Sequence, residues 1–455
     1  MKQPEARATF RPALEQLLEL DTPFGGVHLE PPRTEGCDGC FPGLPSRGKV
    51  RPVPEPSPIA LVCSGGGARG AYEAGVIRYL REELPAPVRA QVRFDVLCGS
   101  SVGAMTAAFL ASTADRPDTQ GIGLSQLWTS LQLEQVYKVQ GEDVWTLARK
   151  VWRLARDEKP DGWRLYDLIH LTPIEELVRT HIAWPRIAAN LARGAFDAIS
   201  VSTTRIHDGK NVVFVQRREG GVPPWSRDPS TEARDTVLGS EHALASAAIP
   251  LLFRAVKIGD EYFCDGSVRQ NTPLSPALRL GARRVLLMSL KFRPQKTPPN
   301  VANSVYPTTP ALMGKVLNAL MLDQTDYDLD RLRRFNAIFE TGIKTFGPQF
   351  LEKMNETVAA MRGQPYRLVK DLVLRPSRDL SAIAGAHAKA RALTSDRSPL
   401  PTRVLRSIAR SNLFTQADLA SLLLFDGEYA RQLIDLAMED THAQREALIE
   451  FFQSG

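Results

Sequence analysis

The 455-residue chain lacks a long apolar run. Its longest nearly uncharged stretch, Val96 to Ser112, is rich in Gly, Ser and Ala and falls short of the ~20 apolar residues a spanning helix needs. The opening residues, MKQPEARATFRPALEQLLEL, lack the apolar core of a secretory signal, so a cytoplasmic start is expected, with export by another route left open. Cysteine is scarce: five residues exclude a disulfide framework. Cys63, Cys98 and Cys264 end strand-like runs and read as buried small hydrophobes. Cys37 and Cys40 form a C-x-x-C, but no second pair or histidine cluster completes a zinc site, so they read as incidental loop thiols. No His/Asp/Glu group has metal-ligand spacing, and no metal or other cofactor is expected. Internal repeats and low-complexity tracts are also missing. The net charge of +6 comes without a recognised nucleic-acid module, so nucleic acid is not an expected partner. The basic balance is compatible with an anionic membrane surface.

What is present is a chain 43% apolar and 24% charged, enough for a sizeable α/β core with an appended region. Two strand-turn-helix units dominate it. IALVCS after Pro58 is a short apolar run of buried-strand type, and AYEAGVIRYLREEL beyond the glycines repeats apolar residues at helical spacing. Gly65, Gly66, Gly67 and Gly70 therefore lie in a strand-to-helix turn. Such a turn aims backbone N–H groups at the positive end of a helix dipole, a place for a phosphate or for an acyl oxyanion.

The second unit favours the acyl reading. VRFDVLC runs into Gly99-Ser100-Ser101-Val102-Gly103, a G-x-S-x-G between strand and helix, the context that motif requires. Small residues at Gly99 and Gly103 let the backbone turn sharply and project the Ser101 hydroxyl. A phosphate loop needs Gly-Lys-Ser/Thr after its glycines, and Arg69-Gly70-Ala71 does not supply it; the glycines also miss G-x-G-x-x-G spacing.

A third stretch, FCDGSVRQNTPL, leaves Asp265 and Gly266 after the strand-like EYFC. GGGARG, GSSVG and DGS in this order resemble the patatin-like phospholipase family. The resemblance extends to ALASAAIPLLF (243–253), to Asn271-Thr272-Pro273 and to LLLFDGEYARQLIDLAMED near the C-terminus, and so covers most of residues 56–440. It implies a three-layer α/β/α core with a mainly parallel sheet. It also implies a Ser101/Asp265 dyad that spacing alone does not pair, with Gly65, Gly66, Gly67 and Ala68 as the oxyanion hole. Arg69 looks like the family's basic residue in the turn, there with Gly70 to hold the loop or attract a lipid phosphate. Ser267 departs from the family's usual Gly or Ala at that position.

Along the chain, residues 1–55 read as an extension with one helix, Pro12 to Leu20, and a Gly/Pro-rich connection. Residues 56–292 read as the catalytic α/β domain, with further strands at 196–202, 212–216 and 283–290. Between Leu124 and Ala192 helical patterns replace strands. There VWTLARKVWRLAR places Val144, Leu147, Ala148, Val151, Leu154 and Ala155 on one half of a helical wheel. Arg149, Lys150, Arg153 and Arg156 lie opposite, with Trp145 and Trp152 at the boundary. This is either a surface helix packed on the core or a basic amphipathic helix for an anionic lipid surface or a lid. Residues 293–455 open with a Pro-rich linker and read as a mostly helical region: Ala311 to Leu322, Asp328 to Phe339, Phe350 to Met361, Asp418 to Leu424 and Gly427 to Glu439. RLVKDLVLRP is a single strand-like piece able to join the sheet edge.

The histidines bear on the competing Ser-acid-His mechanism, which needs a histidine after the acid. Only His387 and His442 follow Asp265, both in helix-like stretches, while His207 and His242 read as surface imidazoles. A dyad is the preferred expectation: a peripherally membrane-associated hydrolase acting on phospholipid acyl esters. A carboxylesterase or neutral-lipid hydrolase of the same chemistry is the first alternative, and a membrane-docked interaction protein without turnover the second.

Overall fold

The computed structural model describes residues 57–132, 172–223, 225, 229–250, 253–293, 325–394 and 421–453. The N-terminal helix, Cys37 and Cys40, the basic segment 144–156, the Pro-rich linker and the helix expected at 311–322 lie outside the described residues.

Among the described residues, nine strands form one sheet: β1 (Ile59–Cys63), β2 (Val96–Ser100), β3 (Ala198–Arg205), β4 (Asn211–Arg217), β5 (Thr231–Asp235), β6 (Val256–Ile258), β7 (Glu261–Asp265), β8 (Arg284–Met288) and β9 (Lys370–Leu374). The main path runs β5-β4-β3-β2-β1-β8-β9. From β3 through β9 every neighbouring pair is parallel, whereas β3 pairs antiparallel with both β4 and β7. The sheet is thus mostly parallel but mixed, with helices on both faces.

Side-chain alternation explains why the central strands read as continuous apolar runs. Ile59, Leu61 and Cys63 of β1 face one core cluster and Ala60 and Val62 face the other. In β8, Leu286 and Met288 face the first cluster while Val285 and Leu287 face the second. A strand covered on both faces has no polar side to show. β5 and β6 escaped the sequence reading because TEARD and VKI are half-buried at the sheet margin. β5 is held by charge, since Arg205 pairs with Asp208, Glu232 and Glu261 and Arg234 bridges the same two glutamates, whereas β6 is held by its antiparallel pairing with β7.

The helices that position the site are α1 (Ala71–Glu82), α2 (Val102–Ser112), α3 (Gln120–Ser130), α4 (Thr172–His181), α5 (Trp184–Ala192), α6 (Ser240–Ser246) and α7 (Leu274–Arg279). The C-terminal part adds α8 (Thr325–Phe346), α9 (Phe350–Arg362), α10 (Leu380–Thr394), α11 (Gly427–Ala443) and α12 (Arg445–Gln453). This part is built into the core on both faces. RLVKDLVLRP supplies β9, parallel to β8. Leu329 and Leu332 of α8 join the second cluster, and α11 lies along α1, where the Tyr72 hydroxyl donates to Asp440 Oδ2 at 2.9 Å. Pro54–Gly455 forms one compact unit.

α12 closes this unit. Phe451 is fully buried, and Arg284 at the start of β8 donates to the Phe451 carbonyl at 3.0 Å and to the Ser57 carbonyl at 3.1 Å. Replacing Phe451 with alanine removes a buried ring and is expected to cost ~3–5 kcal/mol. Urea unfolding followed by both tryptophan fluorescence and circular dichroism should show one common transition shifted to lower urea; a loss of circular dichroism ahead of the tryptophan transition would contradict a single cooperative unit.

Candidate active site

β2 runs into α2 through Ser101, whose φ of 53° makes it the one non-glycine residue with positive φ among the described residues. That backbone costs about 1–3 kcal/mol and persists only where its surroundings over-determine it. Here they do. The Ser101 N–H donates to Ser246 Oγ at 2.8 Å, and Ser246 Oγ donates to the Ser202 carbonyl at 2.6 Å. A Cβ at Gly99 would lie 2.2 Å from the Gly103 carbonyl oxygen, and one at Gly103 would lie 2.3 Å from that of Cys63. Both glycines are therefore demanded by close backbone approach, as the motif implied.

Asp265 ends β7 against the extension of β3. Its N–H donates to the Ala248 carbonyl at 2.9 Å, its own carbonyl accepts from Thr204 Oγ1 at 2.9 Å, and the Gly266 N–H donates to the Ser246 carbonyl at 3.1 Å. Ser246 thus ties both the serine elbow and the aspartate turn. Asp265 Oδ2 accepts from Ser101 Oγ at 2.7 Å, and Oδ1 accepts from the Ser267 N–H at 2.7 Å. The carboxyl is wholly buried, and burial pushes its pKa up to about 6 against the lowering effect of those donors. The bond to Oδ1 comes from a backbone N–H, so a serine at position 267 leaves it intact.

The glycine turn follows β1 and winds as a short 3-10 segment, Gly67–Gly70, into α1. The Gly65 N–H donates to the Asn271 carbonyl at 2.9 Å. Gly65 is therefore a tie to the loop after Asp265, and its committed N–H removes it from the expected set of oxyanion donors. Among the described residues no hydrogen bond takes up the N–H groups of Gly66, Gly67 or Ala68. Arg69 reaches away from the turn, its Nε donating to Ser421 Oγ at 2.8 Å and its Nη2 to Ser381 Oγ at 3.0 Å. Gly70 packs against Val102 and Trp128. Beneath the turn, burial pushes the Glu73 carboxyl up to about 8.

Ser101 lies in the wall of an apolar cavity of about 370 Å³, whose lining includes Val102, Met105, Phe109, Leu127, Trp128 and Phe253. A mostly apolar cavity with the Ser101 hydroxyl in its wall suits a ligand with a hydrocarbon part. Ser381 and Ser421 carry no local signature, and Ser246 is marked only by its place in the ALASAAIPLLF stretch.

The histidines divide differently from expectation. His207 is exposed, but His242 is buried, accepts from the Gly239 N–H at 3.0 Å and stacks edge-on against Phe214. It caps α6 as a neutral ring, since burial lowers its pKa. His387 meets Asp426 Oδ1 at 3.1 Å and Gln432 at 3.0 Å, and His442 pairs with the Tyr79 hydroxyl. The Ser101 hydroxyl goes to Asp265 rather than to an imidazole. Of the cysteines, Cys63 and Cys98 are buried, while Cys264 is only half-buried. His387, Asp426 and Glu428 bring possible ligand atoms within 4.8 Å of one another. They suit a cation poorly, because Asp426 already accepts from the Glu428 and Tyr429 N–H groups at the positive end of α11.

Comparison with known proteins follows the same stretch of chain. Residues 61–278 match the family model described as patatin-like phospholipase. A patatin-like phospholipase domain-containing protein of Caenorhabditis elegans is 38% identical over 79 residues, 16% of this chain and 5% of that protein. A cGAMP-activated phospholipase of Pseudomonas aeruginosa is 24% identical over 221 residues, 48% of this chain and 55% of its own length. The chain thus spans only 5% and 55% of the curated relatives it matches. Among solved structures, human GIVD cytosolic phospholipase A2 aligns with a TM-score of 0.39 at 12% identity, over 88% of this chain and 62% of that one. VipD of Legionella pneumophila aligns with a TM-score of 0.28 at 15% identity, over 87% and 75%. The family model spans β1 through α7 and takes in both motif turns, so residues 61–278 are similar to a patatin-like phospholipase domain.

Proposed function

We propose that the protein is a serine lipid acyl hydrolase in which Ser101 and Asp265 act as a dyad on the acyl esters of glycerophospholipids. The observation that carries this reading is the 2.7 Å hydrogen bond from Ser101 Oγ to a fully buried carboxylate, made at the wall of an apolar cavity. In this mechanism Ser101 Oγ attacks the ester carbonyl carbon as its proton passes to Asp265 Oδ2. The tetrahedral oxyanion accepts from the N–H groups of Gly66, Gly67 and Ala68. Collapse breaks the bond to the alcohol oxygen, which takes the proton back from Asp265 and leaves as the lysolipid. Water then adds to the acyl-enzyme with Asp265 again as base, releasing the fatty acid.

The chemistry asks for a base stronger than an ordinary aspartate, whose pKa is ~3.9. Desolvation supplies the difference and brings the carboxyl to about 6, closer to a neutral operating pH. Preorganised donors at an oxyanion are worth ~3–4 kcal/mol each. The apolar cavity would take the acyl chain. The basic net charge and the segment 144–156 support work at an anionic membrane surface. No helix among the described residues is long and apolar enough to cross a membrane. We assign the catalytic domain to residues 56–292, the mostly helical region to 293–455 and the extension to 1–55.

Fatty-acid release from mixed phospholipid vesicles tests the proposal, with a soluble short-chain ester run in parallel. Wild type should release fatty acid, and Ser101→Ala and Asp265→Ala should each lose at least a hundredfold. Cleavage of the short ester alone would move the substrate to carboxylic esters or neutral lipids. No cleavage of either, with no fluorophosphonate labelling of Ser101, would leave the interaction-protein reading.

The raised pKa makes two further outcomes measurable. Because the base must be ionised, kcat/KM on the soluble ester should fall about tenfold per pH unit below about pH 6. For stability the sign is opposite. The folded carboxyl holds its proton more tightly than the unfolded one, so its contribution is full below about pH 4 and lost as pH rises through about 6. Asp265→Asn, inactive but free of this loss, should gain roughly 3 kcal/mol over wild type on going from pH 4 to pH 8 in urea titrations; a pH-independent difference would contradict the burial argument.

A further inference from the structure

The stretch Ser421–Phe425, over a hundred residues beyond the matched residues 61–278, meets the glycine turn in two ways. Ser421 Oγ accepts from Arg69 Nε at 2.8 Å, and Ser381 Oγ on α10 accepts from Arg69 Nη2 at 3.0 Å; both serines are buried. The turn also touches this stretch backbone to backbone. Gly67 has a φ of +54°, and a Cβ there would lie 2.2 Å from the Leu422 carbonyl oxygen. Leu422 and Phe425 line the same cavity as Ser101, and Phe425 stacks on Trp128 with ring centroids 6.0 Å apart.

The far end of the stretch is anchored as well. Asp426 caps α11 through the Glu428 and Tyr429 N–H groups, and the Gly427 N–H donates to the Leu131 carbonyl at 2.9 Å. Ser421–Phe425 is therefore a strap strung between α11 and the glycine turn, with Leu422 and Phe425 facing the cavity.

We propose that Ser381 and Ser421 are positioning residues for the reaction, acting through Arg69 to hold the glycine turn in its donor geometry, while Leu422 and Phe425 set which acyl chains fit. The physical need is plain. Consecutive glycines leave a turn conformationally free, and donors contribute to an oxyanion only if they are held in place before the reaction. An arginine fork fixes that freedom better than a lone ammonium because its N–H directions are rigid with respect to one another. Here the fork is received by hydroxyls on two separate C-terminal elements, so the turn keeps its shape only while the C-terminal region is docked. The matched domain by itself is incomplete as a catalyst.

This inference rests on the Ser101 hydrolase reading, and the experiment separates the two. Wild type, Ser381→Ala/Ser421→Ala, Ser381→Ala/Ser421→Thr and Leu422→Ala are compared in the full chain on soluble esters of increasing acyl length. Rates are expressed per Ser101 titrated by a fluorophosphonate, so misfolded protein lowers the titre and not the rate. The double alanine variant should lose about ten- to a hundredfold in kcat with KM within about twofold, and restoring a hydroxyl as Ser421→Thr should recover part of it. Leu422→Ala should instead shift KM and the preferred acyl length. If wild type turns over and the double alanine variant matches its kcat per site, this inference is overturned alone. A wild type that neither labels nor turns over overturns the hydrolase reading and this inference with it.

Discussion

A carboxylate with no exposure to water, bonded to a serine hydroxyl at 2.7 Å, is the constraint around which this fold is arranged. Two effects compete at Asp265. Hydrogen bonds from Ser101 and the Ser267 N–H favour the ionised form, and desolvation opposes it. Desolvation prevails and pushes the carboxyl up to about 6. Maintaining that balance requires both partners to be held without slack. Ser246 does so from between them, its hydroxyl receiving the Ser101 N–H and its carbonyl receiving the Gly266 N–H. The strained backbone of Ser101 and the close glycine approaches beneath it belong to the same demand.

The sheet delivers these groups to one place by mixing strand directions. Parallel β1 and β2 leave the glycine turn and the serine elbow at neighbouring strand ends, each opening into a helix. Asp265 arrives from the other direction, on β7, antiparallel to β3 with Thr203 opposite Asp265. An all-parallel sheet would carry the acid to the same edge only on another strand-helix crossover. The antiparallel β6–β7 hairpin achieves it in a few residues, stabilised at the margin by the Arg205 and Arg234 ion pairs. Those pairs are only partly buried, so solvent weakens them, and the apolar packing of Phe263 against Phe214 provides the firmer attachment.

The C-terminal part extends the sheet through β9, covers α1 with α11 and sends a strap to the glycine turn. Its packing follows ordinary rules of apolar burial, as with Tyr429, Leu433 and Phe451. Its consequence is unusual only in where it ends. The hydroxyls that receive Arg69 lie more than three hundred residues from the arginine in sequence.

The two strand-turn-helix units, the glycine turn, the G-x-S-x-G elbow and β9 were legible in the chain itself. They depend on local pattern: short apolar runs, helical periodicity, and glycines where backbones crowd. The family resemblance added the pairing of Ser101 with Asp265, which spacing alone could not provide. Only the tertiary structure decided what depends on partners distant in sequence. It gave the Gly65 N–H to the Asn271 carbonyl, and buried His242 against Phe214 although it sits in a polar segment. It also turned β5 and β6 into strands and brought Ser246, Ser381 and Ser421 to the site. The reason is physical. Periodicity and steric crowding act over a few residues, whereas burial and hydrogen-bond partnership are set by whatever the rest of the chain packs alongside.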